Sequence, residues 1–181
     1  MSTMGEVHLN KEQILNVYSK LKSEFESACE CKVEYAGSVL RYKDIDTDRT
    51  FGDLDLIMIY PNGVHPKEIS DLVHSKYNVK RFGAKKASFL IDGVQVDLNA
   101  TTEEEVEPLR LTCIGDSQFN LLVRSRAKKM GYRLNEYGLW KENERIALTQ
   151  RDILGTLHIR WYEPSERSFK EHKNFHLEKV K

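Results

Sequence analysis

The sequence predicts an α+β fold in which a mixed β-sheet carries three aspartates, with a small α/β subdomain toward the C-terminal end. Three observations lead there. An amphipathic pattern runs over 10–28, the apolar run "LDLIMIYP" (54–61) reads as a buried strand, and "GVQVDLNA" (93–100) alternates apolar and polar residues as a half-buried strand does. A chain of 181 residues with 40% hydrophobic content can bury a genuine core, as one compact domain or two small subdomains.

The first helix follows from Ile14, Val17, Leu21 and Phe25, which recur near helical spacing behind Asn10, a natural N-cap. "CKVEYAG" (31–37) gives a short strand, and "GSVLRYK" turns from it into a short helix. The strand within 54–61 is closed by Pro61, Asn62 and Gly63, and a helix is expected near 66–76. "NVKRFGAKKASFLIDGVQVDLNAT" (78–101) holds two or three strands with a hairpin at Asp92-Gly93, a pair suited to the positive φ angles of a two-residue turn. The acidic "TTEEEVEP" (101–108) reads as a solvated connector or a helix start, with Thr101 and Glu104 at capping-box spacing. Phe119, Val123, Ala127 and Met130 then mark one face of a helix that ends at Gly131. Residues 132–181 mix short strands, a helix near 149–161 and a polar tail. The expected division is a first subdomain over 1–106 and a second over 107–181.

Net charge is zero, but it is segregated. Residues 1–120 hold 14 Lys and Arg against 20 Asp and Glu, a balance of −6, whereas residues 121–181 hold 14 against 8, a balance of +6. A basic third beside an acidic remainder suits a protein that grips phosphates with one part and holds metal with another. On charge alone, a solvated basic helix surface explains the pattern equally well. Cys29, Cys31 and Cys113 are odd in number and lack zinc-site spacing, so reduced thiols are expected. No stretch is long enough to span a membrane or reads as a secretory signal, and a soluble, intracellular, cytoplasmic monomer is the expectation.

The chemistry starts at "RTFGDLDLIMIY" (49–60), where Asp53 and Asp55 open an apolar strand. Alternate residues of a strand share a face, so the two carboxylates project side by side about 7 Å apart and repel each other. A divalent cation is the usual remedy. Asp97, on the polar face of "GVQVDLNA", supplies a third carboxylate. Three aspartates on neighbouring strands make a site for two Mg2+ ions, for which Mn2+ can stand in, bound by oxygen ligands and substrate phosphates. A D-x-D pair alone is equally a strand end with two solvated acids. Upstream, Gly37 and Ser38 sit where a strand turns into a helix, so backbone N–H groups and a hydroxyl can cradle phosphate, with Arg41 adding charge a turn later. A G-S turn followed by G-D-x-D, which includes Gly52, points to nucleotidyl transfer.

From about Leu9 to Ser168 the chain resembles the family X DNA polymerases, the polymerase beta group, and most of all their small viral members. The specific part is "GDSQFNLLVRSRAKKMGYRLNEYGLW" (115–140), with "DILGTLHIRWYEPSERS" (152–168) resembling the family's closing helix and its Glu-Pro and Arg-Ser pairs. The resemblance implies a nucleotidyltransferase palm and template-directed DNA synthesis: deoxynucleoside triphosphates are added to a primer 3′-hydroxyl, filling gaps in DNA repair. It implies that Asp53, Asp55 and Asp97 bind metal and that Asp97 activates the hydroxyl. Gly37, Ser38, Arg41, Gly52, Thr112, Cys113 and Gly115 then surround the nucleotide, Asn120 meets its base, and Arg124 touches the template. Lys128 and Lys129, with Arg126, extend the DNA-binding face. The helical lyase domain and helix-hairpin-helix elements of many relatives are expected to be absent. Where many relatives carry arginines flanking Asp97, this chain has Gln95 and Asn99. His8 falls near a phosphate-contacting arginine of larger relatives and is given no role. Thr112 and Cys113 stand where larger relatives carry a Tyr-Phe pair. Two other classes remain: template-independent or non-DNA nucleotidyl transfer, which gives no reason for Asn120 and Arg124, and a DNA-binding module, which needs no acidic triad.

Overall fold

The computed structural model describes residues 7–64, 73–171 and 176–180. Helix α1 (Lys11–Ala28) starts at a reciprocal cap: the Asn10 side chain accepts from the Gln13 amide and the Gln13 side chain from the Asn10 amide, each at 2.9 Å. Ile14, Leu21 and Phe25 are its buried face. They lie against a five-stranded sheet of β1 (Lys32–Ala36), β2 (Asp53–Tyr60), β3 (Asn78–Phe82), β4 (Lys86–Ile91) and β5 (Val94–Thr102), in the order β1-β2-β5-β4-β3. The β2–β5 pair is parallel and the others are antiparallel, so the sheet is mixed as expected. Asp92 and Gly93, at φ 50° and 82°, make the tight turn from β4 to β5.

Register decides what each face of this sheet does. Leu54, Leu56, Met58 and Tyr60 of β2 join Val94, Val96, Leu98 and Ala100 of β5 in the core beneath α1. The opposite face of β2 carries Asp53, Asp55, Ile57 and Ile59. Ile57 and Ile59 are buried with Val106, Leu109 and Ile114 of helix α3 (Val106–Ile114), while Asp53 is exposed and Asp55 half-buried beyond that cover. Full burial of each such aliphatic side chain is worth about 1.5–3 kcal/mol. A one-residue slip of β2 would exchange its two faces, driving acids into the core, so the register is strongly specified.

Helix α2 (Gly37–Arg41) leaves β1 directly. The acidic segment does hold a helix start, one of its two readings, but without the cap at Thr101 and Glu104: Thr101 and Thr102 finish β5, and α3 begins behind Glu105, which makes no side-chain cap. Val106, Pro108, Leu109, Leu111 and Ile114 are all buried, against two cores, so α3 keeps only a narrow polar edge of Glu107 and Arg110 and its amphipathic period is blurred. Helix α4 (Ser117–Lys129) buries Phe119, Val123 and Ala127, with Met130 half-buried at its end. It shares a second core with the meander β6 (Arg133–Asn135), β7 (Gly138–Lys141), β8 (Glu144–Ala147) and with helix α5 (Gln150–Thr156). Leu111 of α3 belongs to this second core, which joins the two bodies. Helix α5 is shorter than the 149–161 span read from sequence, because His158 takes φ 55° and Ile159 pairs with Lys179. The helix expected near 66–76 falls largely outside the described residues. Among the described residues, no helix is long and apolar enough to cross a membrane.

Candidate active site

Asp55 and Asp97 are direct register partners on the parallel strands β2 and β5, and Asp53 stands opposite Gln95. Neighbouring strands lie about 4.8 Å apart and alternate residues share a face, so the three carboxylates project from one corner of the sheet. Helix α2 reaches that corner through Gly37, at φ 61°, where a Cβ would lie 2.0 Å from Asp55 Oδ2. A side chain at Gly37 would collide with the carboxylate, so the approach requires glycine.

Burial and the neighbouring Asp97 and Asp53 push the Asp55 pKa from 3.8 to about 7, against the opposing charge of Arg41. Asp97 accepts hydrogen bonds from Ser88 Oγ at 2.5 Å and from Gln95 Nε2 at 3.1 and 3.3 Å. Among the described residues, no group of three or more His, Cys, Asp or Glu side chains is drawn together to hold a metal. Mutually repelling carboxylates have no reason to converge. Their chemistry nevertheless fits a hard divalent cation, being three anionic oxygen donors at one corner of the sheet.

The sign of the Asp55 shift makes a prediction. A carboxyl whose folded pKa is raised stabilises the fold fully below pH 3.8, and that contribution is lost as pH rises through about 7. In chelator-treated protein, Asp55→Asn is expected to melt about 5 °C above wild type at pH 8 and to match it near pH 4. Thermal unfolding at the two pH values measures this, and equal melting at pH 8 would mean that Asp55 is not desolvated.

A cleft of about 530 Å³ opens from this corner. Gly37, Ser38, Arg41, Asp53 and Asp55 line one side, and Thr112, Cys113, Gly115 and Asn120 line the other. Asp97 and Gly52 are not among the lining residues: Asp97 sits beside Asp55 as described, and Gly52 packs near the His8 ring, 3.2 Å from the position of a Cβ. Arg41 is more constrained than its sequence suggests. Its Nε donates to Ser168 Oγ at 2.9 Å and its η1 nitrogen to the Ile114 carbonyl at 2.8 Å, so it ties the start of the sheet to the C-terminal segment. Burial lowers its pKa. Asn120 Nδ2 donates to the Thr112 carbonyl at 2.7 Å, which fixes α4 against the end of α3. Burial and the charge of Asp55 push the Cys113 thiol up to about 12, so it is a neutral lining group and not a nucleophile.

The outer side of α4 exposes Arg124, Lys128 and Lys129. Arg126 does not belong with them, because its Nε donates to the Leu157 carbonyl at 3.0 Å. Arg49, Lys170 and Glu171 also line the cleft, and none was singled out from sequence. Arg49 lies in an aperiodic polar loop and the other two in the polar tail, where local pattern carries no signal.

The family model described as DNA polymerase beta thumb matches residues 109–168. That span includes Thr112, Gly115, Asn120 and Ser168 of the cleft region. Repair DNA polymerase X of African swine fever virus, from a South African tick isolate, is 26% identical over 130 residues, covering 66% of this chain and 75% of the viral protein. The same protein from a Kenyan pig isolate is 26% identical over the same length. The chain thus carries a segment that matches the polymerase beta thumb and is similar to the viral repair DNA polymerases X. The fold is also that of Leishmania infantum polymerase beta. A ternary P/T complex of that protein gives a TM-score of 0.74 at 19% identity, covering 90% of this chain and 77% of that one. Its ternary gap complex gives 0.72 at 18%, covering 89% and 71%.

Proposed function

We propose that this chain is a template-directed DNA polymerase of the family X kind that fills gaps during DNA repair, adding deoxynucleoside triphosphates to a primer 3′-hydroxyl. The observation that carries the reading is the single cleft in which Asp53 and Asp55 face Asn120, with Asp97 in register beside Asp55. The similarity to viral repair DNA polymerases X, and to polymerase beta in ternary P/T and gap complexes, supports DNA as the substrate. Asp53, Asp55 and Asp97 would hold Mg2+, as two ions, and bound metal supplies charge neutralisation at the phosphates and a lowered pKa at the attacking hydroxyl. Asp97, oriented by Ser88 and Gln95, accepts the proton of the 3′-hydroxyl. Gly37 and Ser38 receive the triphosphate, and Arg41 braces that wall. Asn120 meets the edge of the incoming base. The subdomains 1–106 and 107–181 meet across the cleft, so a correctly paired nucleotide is enclosed by both. Primer extension on one-nucleotide-gapped DNA with each nucleotide in turn tests the reading. Addition of the complementary nucleotide is expected, and addition without regard to template would favour template-independent transfer.

The exposed Arg124, Lys128 and Lys129 form the proposed DNA-binding face. Affinity for DNA is expected to fall with salt at a slope of about −0.9 per phosphate neutralised. Replacing Lys128 and Lys129 together by alanine should reduce the slope magnitude by about 1 to 2, whereas Arg126→Ala should act mainly on stability through Leu157. Fluorescence titrations over a salt series measure the slope, and an unchanged value would make the two lysines an ordinary solvated surface.

A further inference from the structure

We propose that Arg49 is a phosphate-binding residue of the cleft, and that the Glu171 carboxylate occupies its place until the polyphosphate of a nucleotide displaces it. The inference rests on the polymerase reading only for whose phosphate it is. Four observations carry it. Arg49 and Glu171 line the same cleft as Ser38, Arg41, Asp53 and Asp55. The Arg49 guanidinium lies over the Tyr42 ring, 4.1 Å from its centroid, so its position beside the phenol is already held. Glu171 accepts from both the Tyr42 hydroxyl and Arg49, so a phenol and a guanidinium converge on one anion. That anion is intramolecular.

The fourth observation is that Glu171 stands on a fixed base. It closes the short helical turn Phe169–Glu171, in which Phe169 is buried against Phe119 and Tyr162 with ring centroids 5.2 and 5.5 Å apart. The Lys170 amide donates to Asp116 Oδ2 at 2.8 Å, tying the same turn to the start of α4. The carboxylate is therefore presented to the cleft by rigid structure. The Tyr42 and Arg49 hydrogen bonds hold its pKa below the ordinary carboxylate value, so it is anionic at neutral pH.

The chemistry of exchange favours phosphate. A carboxylate offers one negative charge and two oxygens, whereas a polyphosphate offers more charge and more acceptors to the same fork of donors. The side chains of Arg49 and Glu171 are 37% and 45% exposed, so breaking their pair costs little. Tyr42 is four residues beyond Ser38 and its amide donates to the Ser38 carbonyl at 3.0 Å. The phenol and guanidinium thus continue the proposed phosphate cradle beyond Ser38. Exchange of Glu171 for phosphate would also release one link between the C-terminal turn and the loop that carries Arg49.

Calorimetric titration with inorganic tripolyphosphate in Mg2+ buffer tests this without requiring polymerisation, and primer extension by wild type tests the polymerase reading separately. Arg49→Ala is expected to bind tripolyphosphate about tenfold more weakly. Glu171→Gln is expected to bind roughly threefold more tightly, since the competing anion is gone. In an Arg49→Ala background that gain should shrink. A purely structural strut would make both single variants weaker, and that result would overturn the proposal. So would an unchanged affinity in Arg49→Ala, or an equal gain from Glu171→Gln in both backgrounds, which would show repulsion through space and not occupancy.

Discussion

Asp97→Asn is expected to lower nucleotide addition by about 10³-fold or more while leaving the fold intact. The substitution is nearly isosteric. An asparagine oxygen can still accept from Ser88 Oγ and Gln95 Nε2, which now hold the carboxylate at 2.5 and 3.1 Å, so β4 and β5 keep their side-chain contacts. What disappears is the negative charge and the capacity to take a proton. Under the proposed mechanism both are needed at once, for metal and for the 3′-hydroxyl. The fold itself should gain slightly, because Asp97 is among the charges that push the Asp55 pKa upward. Single-turnover extension on gapped DNA measures the loss, and circular dichroism with thermal melting checks the fold. A variant that keeps near wild-type turnover would remove Asp97 from the reacting centre and leave the acid pair on β2 to be explained otherwise.

How much of this was legible depended on whether the information was local. The cap at Asn10 and the stripe Ile14, Leu21, Phe25 are local, and α1 came out where the pattern puts it. Asp53, Asp55 and Asp97 were readable because strand alternation assigns faces, and the β2–β5 register then placed Asp55 against Asp97. Of helix α3 only a start was readable, as one of two alternatives. It is buried on more than one side, so periodicity was blurred, and its acidic approach resembled a connector. The partners of Arg41 lie 73 and 127 residues away in Ile114 and Ser168, a separation that no window of sequence contains. Arg49 and Glu171 are hidden for the same reason, being 122 residues apart in segments of unremarkable polarity. Arg126 shows the opposite error, since its membership of a basic run concealed a hydrogen bond to Leu157.

Sugar selection gives the second large expected effect. Thr112 and Cys113 line the cleft at the end of α3, on the side opposite Asp53 and Asp55. Under the proposed function, this wall lies beside the sugar of the incoming nucleotide. Both side chains are small. The Thr112 hydroxyl donates to the Pro108 carbonyl at 3.2 Å, within its own helix, and the Thr112 carbonyl is taken by Asn120 at 2.7 Å. The wall is therefore firmly positioned but short of bulk. A pocket that does not fill the space of an added hydroxyl rejects it poorly, by about 10²-fold or less. The ratio of kcat/KM for a deoxynucleotide over its ribonucleotide on one gapped template is accordingly expected to be at most about 10². Thr112→Tyr should raise it by roughly tenfold, because a ring would occupy the space near the 2′-position, while its backbone carbonyl still meets Asn120. Cys113 offers no chemical alternative, since its thiol is neutral with a pKa pushed up to about 12. Steady-state insertion kinetics with matched nucleotide pairs measure both numbers. A wild-type ratio of several thousand would place the gate at another side chain, with His8, packed near Gly52 at the head of β2, the first to replace by alanine.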